Sequence, residues 1–525
     1  MIKIENVEKQ FADRKLFFIE LLQIFSDEKI ALIGDNGVGK TTLMKMISGQ
    51  DSDFSGNIDI TMNIQFVEKT LSDKLTATAV ISDHNSTDSL SPGEAYQIRL
   101  FSAFENNTFL LMDEPTANLD FAAKERLIHK LNTRKQGFLL ISHDRDFIEK
   151  TCSKIFELRE EKIFVYKGSY HSYLEERANQ KKFAQGEYEK YTKETERLSK
   201  MVDELTVRRD KIRTTPKRFG NSEARLHKMG GQSNKKKVDN RIKSVRSRIE
   251  QLAVKKKPIE EKKIVLSIPD HEKIHSKILI EGNKIRKSFG EKLIFDQADF
   301  YIDNTSKVAL IGKNGSGKTT LLQMIINGEQ IKKHPRLKIG YFGQLNQNLH
   351  FEKSIVENIR HTSIYDETLI RILLARLGFR GDRVGERVKN LSDGERAKVQ
   401  LAKMVSGDFN FLIFDEPTNY LEISAIEVLE EILQNYDRPF IFVSHDKAFI
   451  NNVANRLLII KNHKIKTITG NLKEYEKSDP PNINKMVLQF RMTEIFSKLS
   501  MEIPKEERVR LEAAYEELLK KLKNN

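Results

Sequence analysis

The chain has 525 residues, of which 39% are hydrophobic, and its formal net charge is +14. This length predicts two or more globular domains, and the apolar content excludes an intrinsically disordered chain. The N-terminus has no charged leader followed by an apolar run, and no apolar run reaches the roughly 18 to 20 residues that span a bilayer. We therefore expect a cytoplasmic protein without membrane insertion, and the single cysteine, Cys152, has no disulfide partner and is interpreted as a passive thiol.

Two blocks of sequence occur twice. The block that begins at Phe11 recurs at Phe289 with an offset of 278, and the block "FLLMDEPTANLD" recurs as "FLIFDEPTNYLE" with an offset of 302. The second copy therefore has 24 more residues between its blocks, where an accessory subdomain is expected. We call residues 1–170 the first repeat and residues 271–476 the second repeat, and we expect each to be a domain. Both alternate short apolar runs with longer amphipathic segments, which predicts an α/β fold with a mostly parallel sheet.

A glycine-rich loop follows an apolar run in each repeat, "GDNGVGKT" at 34–41 and "GKNGSGKT" at 312–319. In such a loop the backbone N–H groups turn toward phosphate oxygens, the lysine reaches the β and γ phosphates, and the threonine ligates Mg²⁺. Two matches in register argue against an accidental one. The residues predicted to contact nucleotide are Gly34, Asn36, Gly37, Gly39, Lys40, Thr41 and Thr42, and Gly312, Asn314, Gly315, Gly317, Lys318, Thr319 and Thr320.

An Asp-Glu pair follows a later apolar run in each repeat, and a histidine lies 29 residues after each glutamate. The aspartate can hold Mg²⁺, and the glutamate is placed to polarise water for in-line attack on a γ-phosphate. The histidine can hydrogen-bond the γ-phosphate; a structural strand-end histidine is the alternative, and the identical spacing in both repeats favours function. The predicted catalytic residues are Glu114, His143, Glu416 and His445, and the predicted metal ligands are Thr41, Asp113, Thr319 and Asp415.

Residues 171–270 between the repeats predict a helical linker. Ser172 and Glu175 match a capping box, and about 40 residues without proline follow. After a Gly-Gly break, apolar residues recur at alternating spacings of 4 and 3, as in a coiled-coil seam, and a matching stripe precedes the break. Together they predict an antiparallel helical hairpin. The two stripes are Tyr191, Leu198, Val202, Leu205 and Ile212, and Val238, Ile242, Val245, Ile249 and Leu252.

The whole excess of positive charge lies in this linker. Residues 205–257 hold 18 Lys or Arg and 4 Asp or Glu, whereas the rest of the chain holds 71 of each sign. A solvated coiled-coil spacer is the alternative, but a spacer needs mixed signs, and so many cations repel one another unless a polyanion compensates. We expect nucleic acid, and at the hairpin tip structured RNA rather than duplex. The tip residues are Lys217, Arg218, Phe219, Arg225, Leu226, His227, Lys228 and Met229.

The sequences "LSPGE" at 90–94 and "LSDGE" at 391–395, taken with the glycine-rich loops, resemble the ATP-binding cassette family. The resemblance implies two tandem P-loop ATPase domains that bind ATP and Mg²⁺ and hydrolyse ATP. In that family, the signature serine and glycine of one domain contact the γ-phosphate held by the loop of the other domain, so that two ATP molecules are sandwiched head to tail. It also implies an aromatic ring that stacks on adenine.

By that resemblance, signature residues of the second repeat complete the site built on Lys40, and those of the first repeat complete the site built on Lys318. A buried core position is the alternative for each aromatic ring. The residues carried over from the family are Ser392 and Gly394 for the first site, Ser91 and Gly93 for the second, and Phe11 and Phe289 as the stacking rings.

Two such domains, no membrane segment and a charged helical linker narrow the resemblance to the ABC-F class of ribosome-associated ATPases. The basic hairpin, the compact first repeat and a predicted helical C-terminal extension at 477–525 resemble Vga-type antibiotic-resistance proteins of Gram-positive bacteria. The resemblance implies a monomer that binds ribosomal RNA and initiator or P-site transfer RNA at the ribosomal exit-tRNA site. Its hairpin tip would release lincosamides, pleuromutilins and streptogramin A compounds from the peptidyl-transferase centre. The alternatives are a housekeeping ABC-F translation factor and the ATPase subunit of a membrane transporter.

Several positions depart from the family pattern. Pro92 and Asp393 occupy the third signature position, and Glu422 stands where the first repeat has aspartate. Gln344 resembles the family glutamine close to Mg²⁺ and water and is a further predicted metal ligand, whereas the aligned residue of the first repeat is Lys69, which cannot ligate a metal while charged. We therefore expect two competent but unequal sites.

Overall fold

The computed structural model describes residues 1–11, 14–68, 99–212 except 101, 105, 106 and 118, 232–252, 276–343, 349–478 except 420, and the single residues 254, 274, 511 and 513. The chain divides into one compact unit made of Met1–Tyr170 and Lys262–Asn525 and another made of His171–Glu261. Both repeats therefore belong to one unit. None of the helices in the described part of the chain is long and apolar enough to cross a membrane.

The first repeat is built around a six-stranded sheet with the strand order β5-β6-β7-β3-β8-β9. Its neighbours pair in parallel, except that β9 is antiparallel to β8. The elements are β1 Ile2–Phe11, β2 Arg14–Ile24, β3 Lys29–Ile33, α1 Lys40–Ile47, β4 Ser55–Ile60, β5 Ile64–Val67, β6 Phe109–Asp113, α2 Phe121–Thr133, β7 Phe138–Ile141, α3 Arg145–Thr151, β8 Lys154–Arg159 and β9 Lys162–Lys167.

The second repeat has the same topology, with the strand order β14-β15-β16-β12-β17-β18. The predicted α/β class with a mostly parallel sheet is confirmed. The linker helices are α4 Tyr170–Lys211 and α5 Gln232–Gln251, and the second repeat contains β10 Ile278–Phe289, β11 Lys292–Asp303, β12 Lys307–Ile311, α6 Lys318–Asn327, β13 Ile331–Lys333, β14 Ile339–Phe342, α7 Ile355–Arg360, α8 Glu367–Arg376, α9 Asp393–Ser406, β15 Phe411–Asp415, α10 Ile423–Gln434, β16 Phe440–Val443, α11 Lys447–Val453, β17 Arg456–Lys461, β18 Lys464–Thr469 and α12 Leu472–Ser478.

Each repeat also has a three-stranded antiparallel sheet, β2-β1-β4 and β11-β10-β13, which the sequence reading missed. A signal for it was present, because β1 begins with buried Ile2 and Ile4 on either side of a more exposed Lys3. That alternation is typical of a strand with one buried face. One hydrophobic core of the first repeat lies between this sheet and the parallel sheet, with α1 contributing Leu43 and Ile47.

The topology brings the predicted chemistry to one edge of each parallel sheet. In the first repeat β6, β7 and β3 are adjacent and parallel, so the Asp113 end of β6, the loop after β7 and the loop between β3 and α1 lie at the same carboxyl edge. Sites in open parallel sheets form at this edge. Cys152 lies away from these motifs after α3, where burial raises the pKa of its thiol to about 12, as expected of a passive thiol.

Within the linker, α4 and α5 pair as antiparallel helices do: Arg209 lies 4.0 Å from Asp239, whereas Glu194, earlier on α4, accepts from Arg248, later on α5. All ten residues of the predicted stripes are buried or partly buried. The capping box was wrong, because α4 begins at Tyr170 and Ser172 lies inside its first turn. The tip residues Lys217 to Met229 lie outside the described residues, as does most of the predicted extension at 477–525.

Candidate active site

The loop before α1 and the loop before α6 need glycine where each helix begins. Gly39 and Gly317 have φ of +102° and +103°, a region that other residues rarely adopt. A Cβ at Gly39 would lie 2.8 Å from the ring of Phe17, and one at Gly317 would lie 2.4 Å from a methyl carbon of Ile294. Neither helix start has a side-chain cap, so the first backbone N–H groups can serve an anion.

The lysine of each loop is desolvated and bonded to neutral carbonyls. Lys40 Nζ donates to the carbonyl oxygens of Gly34 at 2.6 Å and Asp35 at 2.9 Å, and Lys318 Nζ donates to that of Gly312 at 3.0 Å. Burial lowers the pKa of both lysines despite nearby carboxylates. A phosphate group would return a charged partner to each ammonium, so the site fits a nucleotide.

A hydroxyl and a carboxylate meet beside each lysine. Thr41 Oγ1 donates to Asp113 at 3.0 Å, and Thr319 Oγ1 donates to Asp415 at 3.1 Å. Burial raises the pKa of Asp415. Among the described residues no cluster of three or more His, Cys, Asp or Glu is suited to a metal ion. Mg²⁺ commonly uses one or two protein oxygens together with substrate phosphates, and each pair offers that donor set. The predicted ligand Gln344 and its counterpart Lys69 lie outside the described residues.

The predicted catalytic glutamates have an unusual backbone. Glu114 and Glu416 have φ of +50° and +52°, a conformation that costs a non-glycine residue about 1–3 kcal/mol. Hydrogen bonds from their backbone N–H groups to the carbonyls of Ile141 at 2.9 Å and Val443 at 3.1 Å hold this conformation. No sequence pattern predicts this backbone conformation. Strain retained at the same position in both repeats indicates a functional demand on the carboxylate direction.

The spacing of 29 residues brings each histidine to its glutamate. His143 Nε2 lies 3.4 Å from Glu114 Oε1, and His445 Nε2 lies 3.1 Å from Glu416 Oε1. Both pairs lie at the edge where adjacent parallel strands end, next to the Thr-Asp pairs. A carboxylate oriented by an imidazole, beside a phosphate-type loop and a set of metal-binding oxygens, is suited to position water for attack on a terminal phosphate.

A cavity of about 560 Å³ surrounds Lys40, and one of about 460 Å³ surrounds Lys318. All residues of the two glycine-rich loops and helix starts that were predicted to contact nucleotide line these cavities, except Gly34 and Gly312, which begin the loops. Of the described signature pair Ser392 and Gly394, only Gly394 lines the first cavity; it comes from the second repeat, as a head-to-tail site requires. Ser392 caps α9 through a capping box with Glu395. Ser91 and Gly93, predicted for the second cavity, lie outside the described residues.

Phe11 and Phe289 stand at the ends of β1 and β10 and line the two cavities. They are 73% and 57% exposed, so the alternative that they are core residues is wrong. Each cavity therefore has one exposed aromatic ring in its wall on which a planar base can stack.

Contacts between the repeats were missed from the sequence. The backbone N–H of Asn314, in the second glycine-rich loop, donates to Asp120 at 3.4 Å, and Ser424 Oγ donates to Asp35 at 3.2 Å in the first loop. Arg145 of the first repeat forms a buried ion pair with Glu430 of the second. These residues are 194 to 389 positions apart, so no local pattern reports them.

Glu422, which stands where the first repeat has Asp120, is buried and pairs with Lys398 on α9. Asp120 caps α2 by accepting from the N–H of Ala123 at 2.9 Å, whereas Glu422 makes no side-chain cap. Glu422, the residue that departs from the family pattern, is therefore held by an ion pair within the second repeat.

Comparisons with known proteins agree with this geometry. The family model described as "ABC transporter" matches residues 21–83 and 295–419. ABC transporter F family member 5 of Arabidopsis thaliana is 24% identical over 90% of this chain and 77% of its own length. Ribosome protection protein VmlR of Bacillus subtilis (strain 168) is 30% identical over 100% of this chain and 98% of its own length. The chain belongs to the ABC-F family.

This ABC-F protein is an ATPase with two tandem ATP-binding cassette domains and a helical linker. Erythromycin resistance ATP-binding protein MsrA of Staphylococcus epidermidis is a further relative, 30% identical over 89% of the ABC-F chain and 99% of its own length. The solved structure titled "RNase-L Inhibitor" covers 90% of the chain and 93% of its own with a TM-score of 0.58 at 17% identity, a likeness of fold alone.

Proposed function

We propose that this ABC-F ATPase protects the bacterial ribosome against antibiotics. The ATP-bound form binds ribosomal RNA and initiator or P-site transfer RNA at the exit-tRNA site, and the hairpin tip dislodges lincosamides, pleuromutilins and streptogramin A compounds from the peptidyl-transferase centre. Hydrolysis then allows release. The observation that carries the proposal is the match along the whole chain to a protein named for ribosome protection.

The geometry of the two cavities supports a shared ATP mechanism. Lys40 and the α1 N–H groups bind the terminal phosphates, and Thr41 and Asp113 would hold Mg²⁺, which neutralises charge that develops on the phosphates. Glu114 orients the attacking water, and His143 fixes the direction of that carboxylate. The second site uses the equivalent residues around Lys318, with Gly394 closing the first site from the opposite repeat.

The charge of the linker supports RNA as the partner. A polyanion that neutralises these cations releases counterions, which gives affinity without sequence reading and a steep salt dependence. The described helices present many of these cations to solvent. Among residues 205–257, those exposed on α4 and α5 are Arg208, Lys211, Lys236, Lys237, Arg241, Lys243, Arg246 and Arg248.

The decisive experiment traps the ATP-bound form. A doubly substituted Glu114→Gln, Glu416→Gln protein should bind ATP, fail to turn it over, and pellet with ribosomes. The same protein with ADP is the matched control and should stay in the supernatant. If the protein binds ATP and does not pellet with ribosomes, the proposal is overturned, and pelleting with membranes instead would favour the transporter ATPase.

Resistance is tested separately by expressing the unmodified chain in a susceptible bacterium. We expect higher inhibitory concentrations for at least one drug of the peptidyl-transferase centre, and no rise when both catalytic glutamates are replaced. Ribosome binding without a rise for any such drug would leave the housekeeping translation factor.

A further inference from the structure

Side chains of the first repeat hold the histidine loop of the second. Lys124 lies on α2, is 1% exposed, and donates from Nζ to the backbone carbonyl of His445 at 2.6 Å. The same ammonium pairs with the carboxylate of Asp144, the residue that follows His143 in the first repeat. One buried cation therefore joins the two histidine loops.

The ring of His445 also contacts the first repeat. The ring of Phe121, at the start of α2, meets the imidazole edge to face, with 5.6 Å between centroids and 62° between planes. Lys124 and Lys447 lie 5.9 and 5.8 Å from the centroid of the Phe121 ring. Lys447 is further tied to Glu125 of the first repeat at 3.2 Å. The backbone and the side chain of His445 are thus both in contact with α2.

This arrangement cannot be made in the reverse direction by the equivalent residues. The offset of 302 places Ile423 and Ile426 of α10 where the first repeat has Phe121 and Lys124. Isoleucine offers no donor and no aromatic ring. Ile426 is 1% exposed and belongs to the core of the second repeat. The residues of α10 equivalent to Phe121 and Lys124 therefore cannot supply the His143 loop with the same hydrogen bond and ring contact.

Burial makes the Lys124 contact demanding. A buried ammonium needs its hydrogen-bond acceptors, because water cannot replace them. Losing one acceptor therefore costs more free energy than losing a solvent-exposed hydrogen bond. Its second acceptor, Asp144, is itself fixed, since it caps α3 by accepting from the N–H of Phe147 at 3.0 Å and its own N–H donates to Ser142 at 3.1 Å. With Asp144 fixed, Lys124 restrains the carbonyl of His445.

We propose that Lys124 and Phe121 are positioning residues for His445, so that hydrolysis at the second site depends on these two side chains of α2. The equivalent residues of α10, Ile423 and Ile426, can give the His143 loop neither this hydrogen bond nor this ring contact. This deepens the proposed function and rests on the roles given there to Glu416 and His445. It also specifies how the two sites are unequal: the second site relies on these side chains of the opposite repeat.

The test isolates each site. Glu114→Gln leaves turnover at the second site, and Glu416→Gln leaves turnover at the first. Adding Lys124→Met should lower kcat about 10-fold or more in the Glu114→Gln protein, with KM for ATP unchanged, because a hydrogen bond from a charged group is lost. In the Glu416→Gln protein the loss should be clearly smaller, because Asp144, next to His143, keeps its hydrogen bond from the N–H of Phe147.

Two further variants separate positioning from support of the fold. Lys124→Arg can still donate to the carbonyl and should restore part of the turnover at the second site. Asp144→Asn keeps the helix cap but removes the anchor of Lys124, and it should lower turnover at the second site, though less than Lys124→Met does, because Lys124 can still donate to the carbonyl of His445. Equal losses at both sites, or no rescue by arginine, would overturn the inference.

A measurement that does not depend on ATP turnover tests the positioning role even if the catalytic roles assigned to Glu114 and Glu416 are wrong. Limited modification of the unsubstituted chain and of Lys124→Met with diethyl pyrocarbonate, followed by mass spectrometry, reports the accessibility of each histidine. We expect modification of His445 to rise several-fold and that of His143 to rise less, because Asp144 keeps its hydrogen bond from the N–H of Phe147. Unchanged modification of His445 contradicts the positioning role whatever the ATPase measurements show, whereas inactivity of Glu114→Gln with raised His445 modification would fault only the proposed catalytic roles.

Discussion

Replacing Arg145 by methionine removes the cation from a buried ion pair between the repeats. Its guanidinium bonds to both oxygens of Glu430, one of them at 3.2 Å, and lies 3.4 Å from Asp446. The three side chains are 10%, 9% and 6% exposed. Burial alone disfavours the charged guanidinium, but the hydrogen bond to Glu430 and the two carboxylate charges outweigh it and hold the pKa of Arg145 above its usual value.

The expected cost follows from what the carboxylates retain. Removing one partner of a buried ion pair costs about 3–5 kcal/mol, because a charge is left without compensation. Glu430 keeps a hydrogen bond from the side chain of Asn452 at 3.2 Å, and Asp446 keeps one from the N–H of Phe449 at 3.0 Å. These donors soften the loss, so we expect the lower end, about 3 kcal/mol of unfolding free energy.

A double-mutant cycle measures the pair directly. Arg145→Met, Glu430→Met and the double variant of the whole chain are compared by urea unfolding, and we expect a coupling free energy of about 1–3 kcal/mol. The exposed pair Lys150 and Glu125, 36% and 32% exposed, is the matched control, with about 0.2–1 kcal/mol that falls with added salt. A coupling for Arg145 and Glu430 no larger than that of the control would refute the reasoning.

Two further predictions use other contacts. Phe11→Ala should raise KM for ATP by about 10-fold, since stacking on a base contributes about 1–3 kcal/mol. The unfolding midpoint should not change, because the ring is exposed. The buried control Phe17→Ala should instead lose about 3–5 kcal/mol of stability. Loss of stability in Phe11→Ala with unchanged KM would contradict the assignment. Lys398→Met leaves Glu422 buried without its cation and should cost about 3–5 kcal/mol, and adding Glu422→Leu should restore most of it in thermal unfolding; an equally unstable double variant would contradict this.

The sequence predicts the parts of the site whose position is determined locally. A glycine-rich loop between a strand and a helix places Lys40 without reference to the rest of the chain. The distance from Glu114 to His143 spans one helix and one strand, and because β6 and β7 are parallel neighbours it returns the histidine to the same edge. The equal spacing of the motifs therefore indicates in advance that each glutamate and its histidine lie at the same edge of the sheet.

The contacts between repeats could not be predicted in this way. Lys124 and the carbonyl of His445 are 321 residues apart, and Arg145 and Glu430 are 285 apart. No periodicity links such positions, and a lysine or arginine on an amphipathic helix is ordinarily solvated. The left-handed backbone of Glu114 is likewise imposed by its strand neighbour through the carbonyl of Ile141, not by its own residue type.

The two departures from internal symmetry act in the same direction. Asp120 faces the second glycine-rich loop with a carboxylate oxygen toward the N–H of Asn314, because its other oxygen caps α2. Glu422 is held by Lys398 on its own repeat, and the corresponding contact to the first loop falls to the hydroxyl of Ser424. α2 also holds His445 through the ammonium of Lys124, so charged side chains of the first repeat make both of these contacts to the second site, whereas Ser424 gives the first loop a hydrogen bond from a neutral hydroxyl. In the reverse direction, α10 contacts the first repeat through Glu430, which pairs with Arg145 two residues after His143, and not through His143 itself in the way that Lys124 contacts the carbonyl of His445. Loss of the Lys124 contact should therefore lower turnover at the second site more than at the first.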